Sequence, residues 1–195
     1  MLCTHAARVN DYERGHARGE IIARRAVEYN SQMTLAEFFL KQKQAIRARS
    51  EDAFRLLRPE HLGWSPGNGA LSIGEMLRHL WVSEEGVRRV ALDGNFAYYE
   101  KRIPGGLPAV LGGAAGSIEE ELRQIARVHQ DTLAAASKLR AEEWDKERVN
   151  DAIGFRRKVS VILFGINEHE VHHRAQLMTY LRMLGTPAPE PFRKR

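Results

Sequence analysis

The chain has a single cysteine, Cys3, among 195 residues. No disulfide framework can therefore hold it together, and one thiol fits a reducing compartment. No apolar run approaches the roughly 20 residues that a bilayer-spanning helix needs, and the start lacks the apolar stretch of a secretory signal. The location these absences imply is the cytoplasm. Missing too is a basic run interleaved with aromatics. The 30 Lys and Arg outnumber 25 Asp and Glu for a formal charge of +5, but several positives sit at Arg24, Arg25 and the closing Arg193-Lys194-Arg195. With no basic recognition helix, the sequence predicts neither nucleic acid nor a membrane as partner. Sustained alternation of apolar and polar residues is also absent, and only 154–159 reads as a short extended approach to a helix.

Hydrophobic residues make up 43% of the chain, and most of them recur with helical spacing. Residues 1–30 are polar and Arg/Ala-rich, an N-terminal extension with one short helix near 20–29. A first helix spans 34–57, opened by Thr34 with Glu37 three residues on and striped by Leu35, Phe38, Phe39, Gln42, Ala45, Ile46, Arg49, Ala53, Leu56 and Leu57. Pro59 ends it. Ser72 with Glu75 opens a second helix that runs to Gly94. A long irregular connection, 95–116, follows, of the length that usually serves function or covers a site. Ser117 with Glu120 opens the third helix. The fourth covers 158–184 and stops at Gly185-Thr186-Pro187. Four amphipathic helices of this size make an all-α four-helix bundle over 31–186, with 187–195 left as a basic tail.

The fourth helix carries His169-Glu170-Val171-His172-His173. Residues four apart stack on one helical face, so His169 and His173 point the same way, as two ligands of one ion must. Both occupy the apolar stripe between Ile166 and Leu177. Two imidazoles facing a core are costly unless their nitrogens are satisfied, and a shared cation satisfies them. Imidazole suits zinc, nickel, copper and iron alike. His172, on the flank of the same turn, reads as a neighbour of the site or an alternative ligand, while Glu168 and Arg174 read as solvated. Of the other histidines, His5 and His16 lie in the extension, His61 follows Pro59 in a loop, and His129 falls near the polar side of the third helix. His79 alone stands within a long apolar helix able to face the fourth.

The segments Ser72-Ile73-Gly74-Glu75-Met76-Leu77-Arg78-His79-Leu80 and Asn167-Glu168-His169-Glu170-Val171-His172-His173-Arg174-Ala175-Gln176-Leu177, in that order, resemble the DinB/YfiT-like family over about 33–185. Ala175 stands where similar proteins often carry glycine. The resemblance implies a four-helix bundle, often dimeric, with a divalent transition metal (zinc, nickel or iron) held by His79, His169 and His173. It also implies a small-molecule substrate and, in some members, thiol-dependent transfer using a low-molecular-weight thiol. The function expected is a metal-dependent enzyme that activates water or a small thiol for hydrolysis or detoxifying transfer. The alternative is a non-catalytic metal-binding stress-response module with a structural or vestigial site. Glu75, Gln176 and His172 are the candidate catalytic helpers. Trp64, Trp81 and Tyr180 are candidates for lining a pocket, or core residues.

Overall fold

The helices form where the caps and stripes place them. In the computed structural model, residues 33–100 and 105–186 are described; the expected extension at 1–30, with its helix at 20–29, and the tail at 187–195 lie outside them. The chain divides between Leu35 and Ala36, and the packing below belongs to the second unit. The elements are α1 (Leu35–Phe54), α2 (Ile73–Asp93), the short α3 (Ala97–Glu100) and α4 (Gly106–Leu111), α5 (Ile118–Ala136), β1 (Glu147–Asn150), β2 (Phe155–Lys158) and α6 (Val159–Met183). Ser72 accepts from Glu75 N while the Glu75 carboxylate accepts from Ser72 N, a reciprocal cap on α2. Gly94 closes that helix at φ 64°, a left-handed turn that a side chain would strain.

Two expectations about the connections need correction. The segment 95–116 contains α3 and α4 and is not wholly irregular. The chain also contains an antiparallel hairpin, with Glu147 opposite Lys158 and Asn150 opposite Phe155. The second strand falls within 154–159, which the sequence reads as extended; the first does not announce itself, because both strands are mostly solvent-facing and charged and show no run of alternating apolar and polar residues. Cross-strand pairs such as Arg156 with Glu147 and the turn at Gly154 (φ 63°) define the hairpin instead.

The core is two apolar layers. One gathers Ala53, Phe54, Met76, Leu77, Ile125, Leu177 and Leu181. The other gathers Phe39, Val90, Ala91, Ala136, Trp144, Ile162 and Leu163. Between them, every long helix contributes buried polar residues: Lys43, Arg47 and Ser50 from α1, Ser83 and Glu84 from α2, His129 and Thr132 from α5, Asn167, Glu170 and His173 from α6. The order of layers along each helix gives the topology. α2 and α5 both start in the first layer and end in the second, while α1 and α6 run the opposite way. The chain between α2 and α5 must therefore retrace a helix length of about 30 Å, which accounts for the long connection.

The face of α1 differs from the one the stripe predicts. Phe38 is 49% exposed and Leu35 46%, and Ala45 and Arg49 are exposed, whereas Lys43, Arg47 and Ser50 are buried. The buried set Phe39, Lys43, Ile46, Arg47, Ser50, Ala53 and Phe54 keeps helical spacing, but its cations are ones a pattern reading assigns to water.

Candidate metal centre

α2 and α6 run antiparallel and bring His79 opposite the four-spaced pair His169 and His173. The Nε2 atoms of His169 and His79 are 3.0 Å apart, as are those of His169 and His173. One ligand atom from each residue lies within 4.8 Å of the others. Tetrahedral coordination with bonds of ~2.0–2.1 Å needs nitrogens about 3.3 Å apart; the two 3.0 Å pairs lie within a few tenths of an ångström of that, and the third pair closes the group within the 4.8 Å limit. The group can hold a metal ion.

The remaining ring nitrogens are also engaged. His173 Nδ1 lies 2.7 Å from Gln176 Oε1, an acceptor, so Nδ1 carries the proton and Nε2 presents its lone pair. Ser83 Oγ stands 3.1 Å from His79 Nδ1 and can accept its N–H in the same way. Burial pushes the His169 imidazole down to about 3, helped by repulsion from His173 and His79. Burial likewise takes His173 down to about 4, against the opposing pull of Gln176, and lowers His79. All three are held neutral near pH 7, the form that ligates.

The other candidates fall as follows. His172 is exposed, its ring 4.9 Å from that of His173, outside the converging group. Glu75 is exposed, and its Oε2 accepts from both Ser72 N and Ser72 Oγ at 2.8 Å, which occupies it as a cap. Arg174 is half-buried, not solvated as expected, and donates to Ile46 O at 3.2 Å. His129, expected near a polar face, is only 5% exposed, and His61 is buried in a 3-10 turn. Tyr180 belongs to the core with Trp64 stacked edge-on at 5.3 Å, and Trp81 donates to Glu121 Oε2 at 2.7 Å. None of these aromatics lines the cleft beside the trio. That cleft, about 470 Å³, is bounded at one end by His79 and His169.

Behind the trio lies an arrangement that residue patterns did not announce. Arg47 holds Glu170 through two 2.9 Å hydrogen bonds. Lys43 Nζ is 2.9 Å from Glu84 Oε1, a contact of opposite charges although its angle is not that of a hydrogen bond. Burial alone would raise the Glu170 carboxyl, but Arg47 and Lys43 override it and hold it below the usual carboxylate range. Glu170 and Glu84 each lie on the helices that carry the ligands. The network thus ties α1 to both at the level of the site.

Residues 42–177 match the sequence model of the DinB superfamily. That covers most of the chain, including His79, His169 and His173. The chain belongs to the DinB superfamily. The uncharacterized protein YjoA of Bacillus subtilis (strain 168) is 25% identical to it over 129 residues, 65% of this chain and 75% of YjoA. The crystal structure of that DinB-like protein aligns with a TM-score of 0.57 at 20% identity, covering 80% of this chain and 95% of the other. A DinB-like protein from Bacillus cereus ATCC 10987 aligns at 0.60 and 17% identity, covering 80% and 97%. At these identities the likeness is one of fold, and the all-α bundle of this DinB-superfamily chain is common to all three.

Proposed function

We propose that this protein is a metal-dependent enzyme whose three-histidine centre activates water or a small thiol for hydrolytic or thiol-transfer chemistry. The observation that carries the reading is the convergence of three neutral imidazoles, from two helices, with two of the imidazoles bounding the end of a cleft. Three protein ligands with a fourth position left open is the pattern of catalytic sites, whereas structural zinc is usually closed by four. His172, exposed and off the converging group, does not supply a fourth. A divalent ion held there supplies Lewis acidity that lowers the pKa of a bound water or thiol. His79, His169 and His173 donate through Nε2, and Ser83 and Gln176 fix two of the rings. Zinc, nickel and iron all suit the donor set. The partners proposed with this reading are a small-molecule substrate, a low-molecular-weight thiol and a second copy of the chain. Among the described residues no helix is long and apolar enough to cross a membrane.

Metal analysis of protein purified without a nickel column tests the site. About one ion per chain is expected, lost in His79→Ala and in His173→Ala; retention in both overturns it. A screen of small thiols with electrophiles tests catalysis, and a wild-type rate no faster than that of His169→Ala overturns the enzyme reading.

A further inference from the structure

The cleft extends well beyond the histidines. α2 lines it with His79, Ser83 and Val87, successive residues four apart on one face, and α6 with Ile162, Ile166 and His169. The helices are antiparallel, so Val87 lies level with Ile162, and the cleft follows both for about 12 Å away from the histidines. Its walls there are aliphatic. At that far end the hairpin adds Phe155 and Arg157.

Strand alternation explains why those two side chains arrive together. On the other face of β2, Arg156 pairs with Glu147 at 3.0 Å and Lys158 with Asp145 at 2.8 Å. Arg157 pairs with no carboxylate among the described residues; its Nη1 donates to Arg156 O, and its guanidinium sits 6.0 Å over the Phe155 ring. Among the described residues the one acid lining the cleft, Glu84, is buried against Lys43 and Arg47. Among the described residues the cleft therefore offers a ligand one available positive charge, at the end opposite the histidines.

We propose that the cleft takes an elongated organic monoanion, with its anionic group at Arg157, its apolar middle along Val87, Ile162 and Ile166, and its reacting end at His79 and His169. This rests on the metal-dependent reading above and specifies its substrate class.

The test uses the full chain loaded with cobalt(II), whose thiolate complexes absorb strongly, titrated with mercaptooctanoate and with the equally long but neutral mercaptooctanol. Arg157 is exposed, so an ion pair there is worth up to about 1 kcal/mol, and the carboxylate should bind roughly fivefold tighter. Arg157→Gln should make the two affinities equal, while Arg156→Gln, the same charge change on the opposite face, should leave the preference intact. Equal affinities in the wild type, a preference surviving Arg157→Gln, or an equal loss in Arg156→Gln each overturns the proposal while leaving the metal reading standing. Bound cobalt that shows no thiolate band with either thiol overturns the proposal alone, whereas failure of the chain to bind cobalt at all overturns the metal reading, and the proposal with it.

Discussion

Gln176 lies off the cleft and Ser83 on its wall, and together they determine which nitrogen of His173 and His79 turns toward the others. Fixing the tautomer through the far nitrogen typically changes metal affinity by ~10–100-fold. Gln176→Ala should weaken binding by that order in a competitive chelator titration, and Gln176→Glu, which keeps an acceptor at Nδ1, should restore it. Unchanged affinity in the alanine variant would mean the 2.7 Å contact orients nothing. At this scale the sequence was legible only in part. His169 and His173 could be paired from spacing alone, since a helix leaves four-spaced side chains no other arrangement. His79 could be singled out by its place in an apolar helix able to face the fourth, but the family resemblance was needed to make it a ligand, because its partners are 90 residues or more away in sequence. Ser83 sits four residues after His79, but a serine in a helix carries no signal until its neighbour is known to be a ligand. Lys43, Arg47, Glu84 and Glu170 were invisible for a different reason: charges on a helix read as its wet side, and only the tertiary pairing reverses that.

Among the elements, two glycines in long helices have opposite surroundings. A Cβ on Gly74 in α2 would meet Leu62 Cδ1 at 2.9 Å, Ala115 Cβ at 3.0 Å and the Leu62 carbonyl at 3.0 Å. Two of these three atoms cannot swing away, and Leu62 O already accepts from Gly74 N at 2.8 Å. Overpacking costs about 1–3 kcal/mol and helix propensity returns about 1, so Gly74→Ala should lower stability or at best leave it unchanged. Gly165 in α6 has nothing within 4 Å of the same added atom. There the propensity acts unopposed, and Gly165→Ala should gain roughly 0.5–1 kcal/mol. Urea denaturation of the two variants checks the contrast, and stabilisation of both would sink the close-approach argument. The helices themselves were legible from caps and periodicity: Ser72 and Ser117 cap where the sequence places them. Of the hairpin only the second strand was legible, as the extended stretch at 154–159, since both strands bury little; the face of α1 was misassigned because its inward residues include two cations.

For the bundle as a whole, the main electrostatic fact is a charged belt between two apolar layers. Lys43 and Arg47 balance Glu84 and Glu170, so the belt is neutral only while His129, packed among them, carries no proton. Burial, then Arg47 and Lys43, push the His129 imidazole down to about 3. The consequence for stability has a definite sign. An unfolded chain protonates this histidine as pH falls through its ordinary value near 6.5, whereas the folded chain resists until about 3. Between those values the unfolded state binds more protons, so stability is full above about pH 6.5 and declines as pH falls toward 3. His169 and His173 in the metal-free protein add to the same decline, since burial lowers them too. His129→Gln removes one proton-binding site from the unfolded state without touching the three ligands. Chelator-treated protein should therefore lose less of its urea midpoint in the variant than in the wild type between about pH 7.5 and pH 5. An identical loss in both would mean that His129 takes up its proton as readily in the fold as outside it. The belt would then tolerate a fifth charge, and the pairing of Lys43 and Arg47 with the two glutamates could not be what keeps this layer neutral.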